Sequence, residues 1–361
     1  MDSVFPFGFP TPTAFYLVLY VLTFVLHQAL MHYVLAGSGY LAWCNLVPGA
    51  GDTPRTFQPL AAILRDWMPF ALSAAITAGV APLLFVQIVY PTAFYTANLL
   101  LWWRWMVVIP ILIVAFYLLY LVKSRRYSTW SFPVRTLIAV FIAASFLFVG
   151  FCWTANHLIS MHQSTWPEIY ESGNIAISSI EVTLRVCIWA GGAVPTMCIM
   201  AAWQLSAQDN GETRVEERRL GRAALGGLSV ATVAGVVYLF QLDELSRGLI
   251  LGSFGSIYLG IAVVGVILQV VLWSMVLRNR PTRPQLAIVT VGTLLSLIGM
   301  SVLREAIRIS HLDLNLLLED HKMAWEIGGF SLFLIMALVN FAIIGLCVVM
   351  VRRGLKSKTA E

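Results

Sequence analysis

Nine stretches of about 20 or more mostly apolar residues follow one another along this chain, and no water-soluble fold accommodates so many. They are Thr13–Cys44, Met68–Tyr90, Asn98–Val122, Pro133–His157, Val182–Leu205, Leu220–Leu242, Leu249–Leu277, Gln285–Leu303 and Gly328–Val351. In a bilayer each backbone polar group must be satisfied within its own segment, so each stretch predicts a transmembrane helix. The first and seventh exceed what a bilayer requires, which predicts tilting or protrusion. Charged residues are 11% of the 361 and apolar residues 59%. A soluble domain carries about a quarter charged residues. That balance excludes a soluble enzyme, a disordered chain and a disulfide-rich secreted domain. The expected fold is all-α: one polytopic membrane helix bundle spanning residues 1–361.

Charge placement orients the bundle. The formal net charge is +5, which in this setting implies a basic membrane face and no nucleic-acid partner. Lys and Arg cluster at Arg55 and Arg65, Lys123–Arg126, Arg214–Arg219, Arg278–Arg283 and the tail from Arg352 to Lys358. These are alternate connections plus the C-terminus, so the positive-inside rule predicts N-terminus out and C-terminus in. The first apolar segment is too long for a signal-peptide core and reads as a retained span. Phe57–Trp67 reads as an interfacial amphipathic helix. Trp166–Ile180 and Ser310–Glu326 are the larger outer segments, and Gln208–Arg219 reads as a solvated inner loop. The glycines of the seventh span (Gly252, Gly255, Gly260, Gly265) predict close helix packing.

Polar groups inside a membrane are costly and therefore informative. No Asp or Glu lies between Asp66 and Glu168, which disfavours a proton-coupled transporter. The five cysteines (Cys44, Cys152, Cys187, Cys198, Cys347) lie mostly within apolar runs and read as core residues. No CxxCH is present, so the chain attaches no c-type haem itself. Of six histidines, His27 lies mid-span, His157 and His162 end the fourth span, and His311 and His321 follow the eighth. His27 and His32 are about 140° apart around a helix, so they form no same-face metal pair. Histidines from two different helices could instead hold a b-type haem. On the expected outer side lie Arg104, Arg185, Arg304 and Arg308. Arg304 and Arg308 are one turn apart on one face, with Glu305 three residues before Arg308. Desolvated arginines call for anions, such as haem propionates or acidic headgroups.

Taken in order, these residues resemble subunit I of the cytochrome bd quinol oxidases. HQALMHYVLAG (His27–Gly37) resembles the family's first-span haem histidine and downstream glycine. AGVAPLLFVQIVYPTAFY (Ala78–Tyr95) resembles its second-span stretch, TANHLISMHQ (Thr154–Gln163) its fourth-span motif, and Glu305-Ala306-Ile307-Arg308 its Glu-x-x-Arg near the outer quinol site. The chain departs from the family where Leu184-Arg185-Val186 stands in place of a haem histidine. It departs again at Trp102-Trp103-Arg104-Trp105, where acidic residues are expected, and in its short Asp243–Gly248 connection. The axial methionine has no counterpart.

The resemblance therefore implies a bd-like subunit of the bacterial inner membrane that is not a classical oxygen reductase. It would handle quinol or quinone near the outer face through Glu305 and Arg308. Glu305 would accept a proton and Arg308 would hold a carbonyl or tune that acid. One haem b would be held by His27 and His157, with His162 and His311 as substitutes and Arg104, Arg185 and Arg304 as cofactor-side cations. Electrons would pass to other subunits of a membrane complex, including a c-type cytochrome. The alternative is a haem-free anchor of the same fold that docks a redox partner.

Overall fold

The computed structural model describes residues 9, 11–47, 58–174, 179–207, 214–313 and 327–358. Among these residues all regular structure is helical. The helices are α1 (Thr11–Leu46), α2 (Pro59–Val89), α3 (Pro91–Leu101), α4 (Trp103–Met106), α5 (Val108–Lys123), α6 (Phe132–Met161), α7 (Trp166–Ser172), α8 (Ser179–Ser206), α9 (Arg214–Gln241), α10 (Glu244–Leu251), α11 (Ser253–Arg278), α12 (Arg283–Ser310) and α13 (Ile327–Lys358). Among the described residues eight units are long and apolar enough to cross a membrane: α1, α2, α4 with α5, α6, α8, α9, α11 and α12. The ninth expected span falls on α13, whose apolar stretch, Leu334–Met350, is shorter.

The surface is inverted relative to a soluble protein. Leu99, Ile109, Leu137, Phe240, Val233 and Leu338 are each more than 60% exposed. A contiguous apolar exterior of this kind is stable only against lipid. The interior is mostly apolar but encloses buried polar residues such as His32, His157, Gln269, Glu305 and Arg308, and α1 runs through its centre, against α2, α6, α8 and α12. Close pairs are made by small residues. A Cβ on Gly191 of α8 would lie 2.9 Å from the Gly227 carbonyl oxygen of α9, and one on Gly299 of α12 would lie 2.5 Å from the Tyr258 carbonyl oxygen of α11.

Several boundaries differ from those expected. Residues 59–67 are no separate interfacial helix but the first turns of α2. Leu60, Ile63, Leu64 and Met68 continue one buried stripe, so nothing stops the helix there. The third span is interrupted at Trp102, which takes φ 51° and ψ −130° between α3 and α4. The seventh divides at Gly252, whose extended ψ of 178° ends α10 before α11 begins. That break removes its excess length. The first span keeps its excess: 36 unbroken residues are about 54 Å long, against a hydrocarbon core of about 30 Å. The Asp243–Gly248 connection is helical, as the start of α10. Residues 214–219 of the expected inner loop open α9. Arg55, His321, and the remainders of the 208–219, 166–180 and 310–326 segments at 208–213, 175–178 and 314–326 lie outside the described residues.

The basic connections meet at one end. Lys123 donates to the Asp66 carbonyl at 2.9 Å. Arg214 donates to the carbonyls of Val276 and Asn279 at 2.9 and 2.8 Å, and Arg219 donates to Gln58. The far end of the same helices gathers the groups described next.

Candidate functional site

The end of α12 supplies three charges within about one turn, Arg304, Glu305 and Arg308, and its neighbours close around them. Glu305 is buried, with a side chain 4% exposed. Its Oε1 accepts from Arg304 Nη1 at 2.8 Å and from the Tyr20 hydroxyl at 3.4 Å. Its Oε2 faces Arg308 Nη1 at 3.5 Å and makes no hydrogen bond. Arg308 is as buried as Glu305, with its guanidinium 4.8 Å from the Tyr90 ring centroid. Arg304 lies over Phe24 at 4.7 Å and reaches the surface, with a side chain 26% exposed. Two arginines thus share one carboxylate, and the pairing with Glu305 is what keeps Arg308 tolerable away from water.

From α6, His157 enters the same cluster. Its ring is 2% exposed, with Nε2 3.9 Å from Glu305 Oε1. That gap is too long for a hydrogen bond, and Nε2 has no other partner. On the other side Nδ1 lies 2.9 Å from Arg185 Nη1. Arg185 of α8 also pairs with Glu181, one turn earlier, at 3.0 Å and lies over the Tyr238 ring at 5.2 Å. The Tyr238 hydroxyl donates to the same Glu181 oxygen at 3.4 Å.

The network ends at the surface. α6 stops at Met161, so His162 leaves the helix and turns back. Its Nε2 lies 3.9 Å from Glu181 Oε2, and its ring meets His311 edge-on at 5.8 Å between centroids. His311 places Nδ1 2.9 Å from the Ile307 carbonyl oxygen and Nε2 3.5 Å from Asp243. Burial lowers the pKa of His162; Glu181 and Asp243 oppose this, while His311 and Arg185 add to it. Asp243 is held below its ordinary value. Partial burial would raise it, but its bonds to Ser246 and the nearby His311 outweigh that.

Seven of the expected residues therefore meet in one network: Glu305, Arg308, Arg304, His157, Arg185, His162 and His311. Two do not. Arg104 lies over Trp103 at 5.1 Å, beside the Trp102 break. His27 is half-buried against α2, where Nδ1 lies 2.9 Å from the Ala75 carbonyl oxygen. Tyr20 marks the level of Glu305 on α1, and His27 is seven residues farther along, about 10 Å by helix rise. The rings of His27 and His157 also face different helices. These residues do not fit a haem shared between them. Nor do His162 and His311, because His162 Nε2 faces Glu181 and both His311 nitrogens face other groups, the Ile307 carbonyl and Asp243. Among the described residues no three His, Cys, Asp or Glu side chains converge as a metal site.

Sequence reasoning missed Tyr20, Tyr90, Tyr238 and Glu181. Glu181 was readable, because it stands four residues before Arg185. The tyrosines carry no such mark within apolar runs. Comparison with protein-family models, with curated proteins and with solved structures gives no match.

Proposed function

We propose that this chain is a membrane subunit of a respiratory electron-transfer complex, and that it binds a quinol or quinone headgroup between His157 and Glu305. The observation that supports this reading is the facing pair itself. A buried ring nitrogen and a buried carboxylate oxygen, His157 Nε2 and Glu305 Oε1, stand 3.9 Å apart; Nε2 has no hydrogen-bond partner, while Oε1 accepts from Arg304 and, at 3.4 Å, from Tyr20. Leaving such a ring nitrogen unsatisfied costs about 1–3 kcal/mol. One oxygen about 2.8 Å from both Nε2 and Oε1 would pair the ring nitrogen. A quinol hydroxyl suits the position, since it can accept from one group and donate to the other. Arg304, lying over Phe24, is the partly exposed edge by which a headgroup would enter.

The chemistry balances as follows. Quinol oxidation releases two protons and two electrons. Glu305 accepts the first proton, gives it up to water at the partly exposed Arg304 edge, and then accepts the second, while Arg308 and Arg304 pair with its charged form between transfers. The electrons pass singly to partner subunits, of which an extracytoplasmic c-type cytochrome is the class that suits a chain with no c-haem motif. No step is routed through a haem in this chain. The ordered motif resemblance to cytochrome bd subunit I supports the reading, with nine spans, the N-terminus out and the site near the outer face of a bacterial cytoplasmic membrane.

The test is quinone binding by the purified chain in lipid nanodiscs, using short-chain benzoquinone and naphthoquinone. Wild type should bind at least one of them, and Glu305→Gln and His157→Ala should each weaken binding about tenfold, or about 1.4 kcal/mol. In the native complex Glu305→Gln should slow quinol oxidation by a similar factor without loss of folded protein. Absence of binding by wild type, or wild-type affinity in both variants, would overturn the proposal.

A further inference from the structure

The contact between Arg185 and His157 settles where the imidazole carries its proton. A guanidinium has five N–H donors, no acceptor, and is not deprotonated in proteins. Its Nη1 lies 2.9 Å from His157 Nδ1, so Nδ1 must be the acceptor. A doubly protonated ring would set two donors face to face at that distance. A neutral ring with a free lone pair at Nδ1 carries its hydrogen at Nε2.

We propose that Arg185 locks His157 as the Nε2–H tautomer, which makes His157 a fixed hydrogen-bond donor toward Glu305 and excludes it as a haem ligand. Ligation of iron uses a lone pair on a neutral ring nitrogen. At Nδ1 that pair is taken by Arg185, and at Nε2 the proton occupies the position. The lock is itself braced. Glu181 holds Arg185 Nη2 at 3.0 Å, and Tyr238 lies beneath the guanidinium. The charged groups facing His157 are Arg304, Glu305 and Arg308 of α12 and Arg185 of α8, with His162 beyond the end of its own helix. Arg185 acts through His157 and is a positioning residue.

The lock explains why a histidine and a carboxylate can face each other across a buried gap without sharing a proton. His157 offers only a donor and Glu305 Oε1 only an acceptor. An oxygen between them must accept from one and donate to the other, as a hydroxyl does. This last step rests on the quinol reading; the tautomer does not.

The experiment is magic-angle-spinning NMR of the full chain in nanodiscs with 15N-labelled histidine, the His157 signals being assigned by their loss in His157→Gln. Wild type should show a protonated, pyrrole-type Nε2 and a bare, pyridine-type Nδ1, unchanged from about pH 5 to pH 8. Arg185→Met should give mixed tautomers and a ring that titrates. A protonated Nδ1 in wild type, or a wild-type ring that titrates in that range, would overturn the inference, and this outcome needs no folded variant. Any b-type band in the dithionite-reduced minus oxidised spectrum should survive His157→Ala, and its loss would overturn the inference equally. Failure of quinone binding with the Nε2–H tautomer intact would remove the proposed function and leave the lock standing.

Discussion

Gly79 explains how the bundle tolerates a half-buried histidine at His27. A Cβ at Gly79 would lie 2.8 Å from His27 Cε1, so the ring occupies space that only glycine leaves open. Once seated there, its Nδ1 reaches the Ala75 carbonyl. Gly79→Ala should push the ring off that bond and destabilise the chain by about 1–3 kcal/mol. Gly39→Ala is the control, because nothing lies within 4 Å of its added Cβ, and it should be neutral or stabilising by up to about 1 kcal/mol. Thermal denaturation in detergent separates the two; equal midpoints would show that Gly79 does not seat His27. At this scale legibility followed charge. Arg304, Glu305 and Arg308 announce a cluster by their one-turn spacing, and the structure closes them on each other. The role of His157 was not legible, since its position depends on Arg185 from a helix 28 residues away. The spacing within α6 cannot report a contact across helices.

Among the elements, the seventh apolar segment shows most clearly what patterning can and cannot carry. Its glycines read as one packing surface, and Gly265 behaves so, abutting Gly292 and Ser296 of α12. Gly252 instead ends α10, and a Cβ at Gly260 would meet nothing within 4 Å. Composition does not distinguish a glycine that breaks a helix from one that joins two. What starts α10 is Asp243, whose side chain accepts from the Ser246 amide at 3.3 Å. Asp243→Ala should weaken this cap by about 1 kcal/mol and speed hydrogen exchange of the α10 amides. Asp243→Asn, which keeps a capping oxygen, should keep most of the protection while losing the pairing with His311. Unchanged exchange in Asp243→Ala would show that packing against α11 and α12 holds the helix without its cap. Because the carboxyl is held below its ordinary pKa, the ionised cap stabilises fully above the ordinary carboxylate range. That contribution fades as pH falls through the lowered value.

For the molecule as a whole, the alternation of basic connections was the strongest signal, and the helices bring those connections together at one end. The network from Glu305 to Asp243 gathers at the other. This separation follows from membrane physics, since charges that cannot reside in hydrocarbon collect at the two interfaces or pair within the bundle. It makes orientation decisive for the proposed function, because under that proposal the side facing the site receives the protons of quinol oxidation. The orientation can be read with a thiol reagent that does not cross membranes. Cys44, Cys152 and Cys198 are buried and Cys187 half-buried, so with Cys347 replaced by Ser the background should be low. Tyr170 of α7 is 82% exposed at the end that holds the site, and Thr129 is exposed at the basic end. Tyr170→Cys should label in intact cells, and Thr129→Cys only after permeabilisation. The reverse pattern would place Glu305 and His157 at the inner face, where an extracytoplasmic cytochrome could not take the electrons, and the partner would have to be a cytoplasmic one.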